Sequence, residues 1–529
     1  MRYCLLLFIF FYCTRSIGQH LSSGGVLKPE QAIMDIRHYT IALDVDIARQ
    51  RISGYTTIDL TMLQPTKTLL FDLLDSFTIH GILVNGKHEV YDYKNNMIDI
   101  HLSRLLQTGN ATVTIYYEGQ PHTAIRPPWD DGFTWTKDST GNPWVAVTSE
   151  GTGGKIFFPC KDNPSDEPDD GGEMLITVPK GLVVAGPGIL KKVTVKNNKV
   201  TYDWKTQYTI NNYSLVFNIG KYKMVGREYT TVNGNKVPIQ FYVLEEHADK
   251  APHHLDIFEQ TIRVQEKYFG EYPWVKEKIG ISETPHLGME HQTMNAYGNQ
   301  FRYTKVGGKD FDWLLHHEFG HEWWGNKVTV KDWADYWIHE GICNFGDVLY
   351  VREMEGEAAY LLRFQQMALR FQNQKPVVQG KDIDEETAYQ DDIYGKGAFF
   401  MHTLRYVMGD SIFFPTLKEF VTDKKYTYHN LVTTDDVEKL FSKNSGKDLG
   451  PLFNLYLKTT NKLEVNMKRV QKNEYHVSLG NIEMALPMFV ATSEGPQNVM
   501  IDKKGTNVKS STLPIIDPDM LYLKKITIE

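Results

Sequence analysis

The stretch Trp313-Leu-Leu-His-His-Glu-Phe-Gly-His-Glu-Trp-Trp324 contains the pattern His317-Glu318-x-x-His321. Residues four apart lie one turn apart on one face of an α-helix, so both imidazoles can reach a single ion. Zinc accepts histidine nitrogens at about 2.0–2.1 Å in tetrahedral sites. Glu318 lies on the same turn, close enough to contact a metal-bound water without being a ligand. The pattern predicts a helical metal site, with a pair of core histidines as the alternative.

A third ligand separates these alternatives. Glu340 lies in a second helical pattern, Trp337-Ile-His-Glu-Gly, and follows His321 after 18 intervening residues. Two histidines and a glutamate with an open fourth position are typical of catalytic rather than structural zinc. The sequence therefore predicts one Zn²⁺ per chain, bound by His317, His321 and Glu340.

The composition is that of a soluble globular protein. Of the 529 residues, 41% are hydrophobic and 23% are charged, which excludes a disordered, collagen-like or polytopic membrane protein. The formal net charge is −8, and no dense cluster of lysine and arginine is present, which argues against a nucleic-acid-binding protein.

Three regions follow from the periodicity of the apolar residues. Alternation with a period of two dominates up to about residue 245 and indicates β-structure. The helical period of 3.6 dominates residues 246–462, and short alternating runs return in residues 463–529. We therefore expect a multidomain α+β protein with an N-terminal β domain (19–245), a zinc catalytic domain (246–462) and a small β domain (463–529).

The first residues resemble an export signal. Residues 3–13 form an apolar run of 11 residues, too short to span a bilayer, and the small residues in 16–18 predict cleavage before Gln19. A lipoprotein anchor at Cys13 is disfavoured because Tyr12 is bulky, and an uncleaved anchor is the other alternative. We expect a signal peptide in residues 1–18, periplasmic or secreted localisation, and no transmembrane segment in the mature chain.

Two further features of the sequence are a pair of cysteines and an acidic segment. Cys160 and Cys343 are the two cysteines after the leader, and the sequence does not determine whether they pair. The segment Asp162–Asp170 is acidic, but it lacks the spacing and the glycine of an EF-hand loop. We interpret it as a solvated turn rather than a calcium loop.

The motifs resemble those of the zinc aminopeptidases of the aminopeptidase N and leukotriene hydrolase type (gluzincins). The resemblance rests on these motifs: His317-Glu-x-x-His321, Glu340-Gly341, Trp324-Gly-Asn326, Asp332-Trp333, Tyr394-Gly-Lys-Gly-Ala, Leu287-Gly-Met-Glu-His291 and Pro159-Cys-Lys-Asp-Asn-Pro164. It implies an N-terminal β-rich saddle domain, a thermolysin-like, mainly helical catalytic domain and a small C-terminal β-sandwich domain. It also implies a short form without the helical C-terminal domain of longer relatives, with a more open cleft.

The resemblance implies two catalytic residues. Glu318 would act as the general base towards a zinc-activated water. The Tyr394 hydroxyl would stabilise the carbonyl oxygen as it becomes charged, and Tyr389 is the alternative tyrosine. Glu322 and His339 border the ligands and receive no assigned role.

The resemblance also implies a way to recognise a free amino terminus. Glu290 and Glu150 would bind the α-ammonium group, and the backbone of Gly288 and Met289 would pair with the peptide as an added strand. Substrates would then be peptides with a free N-terminus. The motif departs from the family pattern at His291, where asparagine is usual.

Three other functions are compatible with parts of this pattern. A thermolysin-like endopeptidase uses the same ligands, but an amine-binding Glu290 argues against cleavage of internal bonds. An epoxide hydrolase, known in one branch of the family, could use the same zinc and carboxylates. An inactive, β-rich binding relative is disfavoured because the three ligands and Glu318 are all present.

Overall fold

The computed structural model describes residues 21–529. The predicted signal peptide and its cleavage site lie outside this range. Strands dominate up to residue 244, helices dominate from 251 to 457, and strands return from 463 onwards.

The N-terminal region consists of one short helix, α1 (Pro29–Ala32), and 17 strands. The strands are β1 (Met34–Asp46), β2 (Arg51–Met62), β3 (Thr66–Asp72), β4 (Phe77–Val84), β5 (Lys87–His88), β6 (Val90–Lys94), β7 (Met97–Leu106), β8 (Gly109–Gly119), β9 (Gly132–Lys137), β10 (Pro143–Thr148), β11 (Gly172–Pro179), β12 (Val183–Ala185), β13 (Ile189–Lys196), β14 (Lys199–Lys205), β15 (Asn218–Gly220), β16 (Tyr222–Thr230) and β17 (Lys236–Leu244). Alternate residues of β1, such as Tyr39, Ile41 and Leu43, are buried, as the two-residue period requires.

Most of these strands form three sheets. The largest has eight strands in the order β13-β14-β11-β1-β2-β8-β4-β5, with β1 and β11 parallel. A four-stranded sheet (β12-β15-β10-β9) and a three-stranded sheet (β3-β7-β6) complete the set. Strand β10 matters for the site because Glu150 lies two residues after its end.

The central region contains the remaining helices and a small sheet. Its helices are α2 (Ala251–Phe269), α3 (Trp313–Gly320), α4 (Trp337–Glu355), α5 (Glu357–Ala368), α6 (Glu385–Ala388), α7 (Asp392–Met408), α8 (Asp410–Thr422), α9 (Thr434–Ser445) and α10 (Gly450–Leu457). Its strands are β18 (Ile279–Glu283), β19 (Gly288–Met289), β20 (Asn295–Tyr297), β21 (Thr304–Val306) and β22 (Lys309–Phe311). The 3₁₀ helices of the whole described chain are Gly154–Ile156, Asn212–Ser214, Glu245–His247, Trp333–Asp335 and Lys424–Tyr426.

One sheet is continuous across the predicted boundary at residue 245. It has the order β16-β17-β18-β20-β19, so β17, which precedes the boundary, pairs in parallel with β18, which follows it. Strand β19 lies at its edge and pairs antiparallel with β20, opposite Tyr297 and Ala296. This edge faces the candidate site, and the exact domain boundary stays a prediction.

The C-terminal region is entirely made of strands. These are β23 (Leu463–Gln471), β24 (Glu474–Leu479), β25 (Leu486–Thr492), β26 (Gly495–Ile501), β27 (Thr506–Lys509), β28 (Ile515–Ile516) and β29 (Lys524–Ile528). They form sheets of four strands (β27-β24-β23-β29) and three strands (β26-β25-β28). The expected multidomain α+β fold is thus confirmed.

Two large hydrophobic cores hold these regions together. One fills the N-terminal sheets, and the other runs continuously from the central helices into the C-terminal sheets. Cys160 and Cys343 are both buried and do not form a disulfide with each other. Within residues 21–529, no helix is both long enough and apolar enough to cross a membrane.

Candidate metal centre and amine-binding cavity

Helix α3 presents the two predicted histidine ligands. It begins after Asp312, whose side chain accepts a hydrogen bond from the N–H of Leu315 at 3.3 Å and so caps the helix. The helix ends at Gly320, with His321 as its C-terminal cap. His317 and His321 therefore lie one turn apart and face the same cavity.

The three predicted ligands meet at one point. Nε2 of His317 lies 3.2 Å from Oε2 of Glu340, and Nε2 of His321 lies 3.4 Å from the same oxygen. The two Nε2 atoms are 3.4 Å apart. Ligands held about 2.0–2.1 Å from a tetrahedral ion lie about 3.4 Å from one another, so this donor set fits zinc.

The outer nitrogens of both histidines are hydrogen-bonded. Nδ1 of His317 lies 2.9 Å from Oδ2 of Asp347, and Nδ1 of His321 lies 2.8 Å from the carbonyl oxygen of Trp324. Both acceptors require a proton on Nδ1, which leaves the Nε2 lone pairs free for a metal. Asp347 is not among the residues predicted from the sequence, although it lies two turns after Glu340 on α4 and thus on the same helical face.

Electrostatics support this role for Asp347. Burial favours the neutral acid, but the neighbouring imidazoles, first that of His317, hold the pKa of Asp347 below its ordinary value. A charged carboxylate at this place fixes the His317 ring and increases its basicity as a ligand.

Glu318 lies beside the ligands, against the edge strand. A Cβ atom built on Gly288 would lie 2.6 Å from Oε1 of Glu318 and 2.7 Å from Cδ1 of Leu314, so a larger residue here would displace the Glu318 carboxylate. Burial raises the pKa of Glu318 to about 8. Carboxylate oxygens of Glu318 and Glu290 and a nitrogen of His321 lie within 4.8 Å of one another. The structure thus brings the predicted base and one predicted amine-binding residue together at the triad.

Glu290 directly follows β19 and is only 3% exposed. Its Oε1 accepts a hydrogen bond from the Tyr213 hydroxyl at 3.0 Å, and its backbone carbonyl accepts one from Nδ2 of Asn326 at 2.8 Å. A buried carboxylate with a single hydroxyl donor retains acceptor capacity for an ammonium group.

Glu322, which received no role from the sequence, is fully buried. Its carboxylate accepts hydrogen bonds from Nε1 of Trp274 at 2.7 Å and from the N–H of Thr293 at 2.9 Å. It also lies 3.3 Å from Nδ2 of Asn326, the amide that holds the Glu290 backbone. Glu322 therefore ties the end of α3 to the loop after Glu290.

His339, the other residue without a predicted role, is also buried. Its Nε2 accepts a hydrogen bond from the N–H of Val330 at 3.0 Å, and its ring lies 4.6 Å from that of Tyr336. The ring packs behind Glu340 and supports Tyr336.

Glu150 approaches the site from the N-terminal region. The Tyr336 hydroxyl donates a hydrogen bond to its Oε1. Burial, and then the nearby carboxylates of Glu290 and Glu340, raise the pKa of Glu150 well above its ordinary value. A cation placed between Glu150 and Glu290 would relieve this repulsion.

Both candidate tyrosines lie at the cavity wall. Tyr394 is on α7, with its ring 6.1 Å from the ring of His317, and its hydroxyl contacts that of Tyr389. Burial, and then the Glu340 carboxylate, raise the pKa of Tyr394 well above its ordinary value. Tyr394 is therefore a protonated donor at neutral pH, and Tyr389 positions it.

The predicted residues surround a cavity of about 790 Å³. Its lining includes the predicted ligands, base, tyrosine and amine-binding residues, together with further acidic side chains. The acidic residues of the lining are Asp130, Asp131, Glu150, Glu290, Glu318, Glu340, Asp347, Glu385 and Glu386. Within the described chain, no lysine or arginine lines this cavity.

The interpretation of Asp162–Asp170 as a solvated turn was wrong for its first half. The Asp162 carboxylate pairs with Nζ of Lys155 at 2.7 Å, and the Asp166 carboxylate pairs with Nζ of Lys161 at 2.9 Å. All four side chains are largely buried. Two upstream lysines thus neutralise Asp162 and Asp166, and the Asp162 carboxylate lies against Gly153 of the loop that carries Glu150.

The fold and the site together define a single-metal centre built from two histidines and a glutamate. Residues 36–213 match the model of the peptidase M1 N-terminal domain, and residues 253–456 match that of the peptidase family M1 domain. The chain belongs to peptidase family M1.

Among curated relatives, the chain is similar to the leucyl aminopeptidase of Saccharolobus solfataricus, with 23% identity over 492 residues that cover 87% of this chain and 59% of the relative. It is also similar to human endoplasmic reticulum aminopeptidase 1, with 23% identity over 452 residues, 80% of this chain and 46% of the relative. The chain thus spans about half the length of these relatives.

A solved M1 zinc metallopeptidase from Deinococcus radiodurans has a similar fold. The TM-score is 0.68 at 22% identity, and the match covers 83% of this chain and 96% of that structure.

Proposed function

We propose that this protein is a zinc-dependent aminopeptidase that hydrolyses the N-terminal peptide bond of peptides. The observation that carries the proposal is the meeting of the triad with Glu318 and Glu290 in one cavity. The aminopeptidase names of the curated relatives and the zinc metallopeptidase structures support it.

His317, His321 and Glu340 would hold the zinc ion, since their mutual distances of 3.2–3.4 Å suit a tetrahedral centre. When bound, the ion would supply an activated water and polarise the scissile carbonyl.

Glu318 would accept the proton of the attacking water and pass it to the leaving amine. Its carboxylate is held against Gly288, at the edge where the peptide backbone would pair with β19. The Tyr394 hydroxyl would donate a hydrogen bond to the carbonyl oxygen as negative charge develops there. In other enzymes such a donor contributes about 3 kcal/mol.

Glu290 and Glu150 would set the position of cleavage. The α-ammonium group of a peptide has three donors and one positive charge, which complement two converging carboxylates. Holding this group would place the first peptide bond at the triad and leave no space for residues before it. This arrangement favours an exopeptidase over an endopeptidase.

The test compares hydrolysis of a leucyl chromogenic substrate with that of its N-acetyl form. We expect rapid cleavage of the free amine and negligible cleavage of the acetylated form, because acetylation removes the charge. Zinc removal with a chelator should abolish cleavage, and added zinc should restore it. Equal rates for the two substrates would refute the aminopeptidase assignment.

We also propose that the protein is exported, on the basis of the apolar run in residues 3–13 and the small residues that follow it. Expression of the full chain and amino-terminal sequencing of the exported protein test this. A mature chain that begins at Gln19 is expected, and retention of residues 1–18 would contradict it.

A further inference from the structure

Residues 22–24, which we name the N-terminal clasp, lie between two segments of the candidate site. The N–H of Ser23 donates a hydrogen bond to the carbonyl oxygen of Gly151 at 2.7 Å. The carbonyl oxygen of Ser23 accepts one from the N–H of Glu385 at 3.0 Å. A single extended residue therefore joins the loop that carries Glu150 to the start of α6.

The clasp makes further contacts with the α6 side. Gly24 forms a β-bridge with Asp384, and the N–H of Glu386 donates to Oγ of Ser22 at 3.0 Å. Helix α6 leads directly into Tyr389, whose hydroxyl contacts that of Tyr394. The clasp thus fixes the entry to the segment that carries both tyrosines.

On the other side, the clasp is part of a buried ring of hydrogen bonds. Oγ of Ser23 donates to the Asp162 carboxylate at 3.1 Å, and the same carboxylate accepts from Nζ of Lys155 at 2.7 Å. The ring closes where Nζ of Lys155 donates to the carbonyl oxygen of Ser22 at 3.0 Å. Ser23, Asp162 and Lys155 are all buried, so these bonds are shielded from water.

A packing contact connects the clasp to Glu150 by a second route. Gly24 has a φ of +86°, and a Cβ atom at this position would lie 2.4 Å from Cδ1 of Trp333. The Trp333 ring lies 4.4 Å from that of Tyr336, whose hydroxyl donates to Glu150. Contacts therefore run without interruption from Gly24 to the Glu150 carboxylate.

We propose that the N-terminal clasp is a positioning element for substrate amine recognition: it holds Glu150 in place from both the loop side and the Tyr336 side. This inference rests on the proposed aminopeptidase function. The clasp touches none of the three metal ligands, so it acts on binding of the peptide amine and not on the metal.

The test uses two neighbouring glycines of the chain. Gly24 and Gly25 have φ values of +86° and +78°, so alanine introduces similar backbone strain at both. A Cβ atom at Gly25 meets nothing within 4 Å, whereas one at Gly24 collides with Trp333. Gly25→Ala is therefore a matched control for Gly24→Ala.

We expect Gly24→Ala to raise KM for the leucyl substrate about tenfold, which corresponds to about 1.4 kcal/mol of lost binding. The kcat should change less than KM, because the clasp reaches Tyr394 only through α6 and Tyr389. The zinc content should stay within about twofold of the parent value, because the clasp touches none of the three metal ligands. Gly25→Ala should have the KM of the parent. Identical kinetics of the two variants, in an enzyme that prefers the free amine, would overturn the clasp proposal.

A double-mutant cycle tests the route of action. If the clasp acts through Glu150, Gly24→Ala should have little further effect on KM in a Glu150→Gln background. Effects that multiply in full would overturn the proposal. If Gly24→Ala does not fold, as judged by circular dichroism, Ser23→Ala replaces it. This substitution removes only the hydroxyl bond to Asp162, so we expect a KM increase of about threefold, and an unchanged KM would overturn the proposal.

The failure of the proposed function is distinguishable from these outcomes. A parent enzyme that cleaves the free and N-acetylated leucyl substrates equally would refute aminopeptidase function before any variant is made. A selective parent with a KM indifferent to the clasp would refute only the positioning role.

Discussion

The metal triad and the two carboxylates proposed to bind the substrate amine, Glu290 and Glu150, are held in place by different means. The three triad ligands come from two consecutive helices, α3 and α4, and their outer atoms are bonded to Asp347 and the Trp324 carbonyl. Glu290 follows an edge strand, and Glu150 follows β10 of the N-terminal region. The two histidines are therefore set by the geometry of one helix and Glu340 by the packing of α4 against α3, whereas the amine site depends on packing between the N-terminal and central regions.

The residues proposed for catalysis and those proposed for substrate recognition therefore depend on different contacts. Helical spacing fixes the distance between His317 and His321, and the packing of two neighbouring helices adds Glu340. The position of Glu150 relative to Glu290 depends instead on Tyr336, on the clasp and on the acidic segment against the loop. Changes in those contacts should alter substrate selection before they alter the metal site.

The largest expected effect is the loss of kcat on substitution of Glu318, beside the metal triad. Glu318→Gln should lower kcat by about 10³-fold or more, since the amide cannot accept the proton of the attacking water. Zinc content, measured by atomic emission after gel filtration, should stay at one per chain because Glu318 is not a ligand. Turnover near the parent rate would show that the base has been assigned wrongly.

The largest effect on the amine side should come from Glu290→Gln. Loss of the charge should lower kcat/KM for the leucyl substrate about 100-fold, in line with a charge-assisted hydrogen bond of about 1.5–3 kcal/mol. The rate on the N-acetyl substrate should not change, so the ratio of the two rates measures the loss of selectivity. An equal fall for both substrates would place Glu290 in the chemistry instead.

A smaller effect on the triad side should come from Asp347→Asn. The variant keeps the shape but weakens the bond that orients the His317 ring, so zinc affinity should fall about 10–100-fold in a competition with a chelator. Asp130→Asn is the control, because Asp130 also lines the cavity but is paired with Arg126 at 3.3 Å. Equal zinc affinity of the two variants would argue against the orienting role.

The smallest expected effect is a change in the free energy of unfolding on substitution of Glu167. Glu167 lies in a small cavity together with Glu150 and Tyr213, and burial raises its pKa to about 8. The folded-state pKa exceeds the unfolded value near 4.5, so the stability that this group contributes is present below pH 4.5 and is lost as the pH rises to 8.

Glu167→Gln removes this titration. The variant should be more stable than the parent at pH 8, by about 1–3 kcal/mol in urea unfolding, and the difference should shrink towards pH 4.5. Glu30→Gln, at an exposed position, should show no such trend. A constant difference across this pH range would contradict the assignment to Glu167.

The site residues that lie at regular spacings along a helical pattern could be predicted from the sequence. His317 and His321 follow from helical spacing, Glu340 from its offset of 18 intervening residues at the start of a second helical pattern, and Asp347 could have been found as the residue two turns after Glu340. The roles of Glu290 and Glu150 depended on resemblance alone, because no periodicity relates an edge strand to a remote loop.

Contacts between distant segments could not be predicted. Nothing in the residues around Ser23 indicates that its backbone bonds to Gly151 and Glu385, since backbone hydrogen bonds do not require particular side chains. The acidic segment was misread for a related reason. The sequence shows only the run of neighbouring acidic residues, whereas in the fold Lys155 pairs with Asp162 and Lys161 pairs with Asp166.

The nine carboxylates of the cavity lining have a kinetic consequence. Even with Glu150 and Glu318 neutral, the other carboxylates outnumber the two positive charges of a zinc ion, and the low-dielectric walls focus the resulting field towards the opening. For the proposed peptide substrates, a protonated amino terminus should add long-range attraction, and the association rate should fall as ionic strength shortens the screening length. The cavity selects for positive charge before any hydrogen bond to the substrate forms.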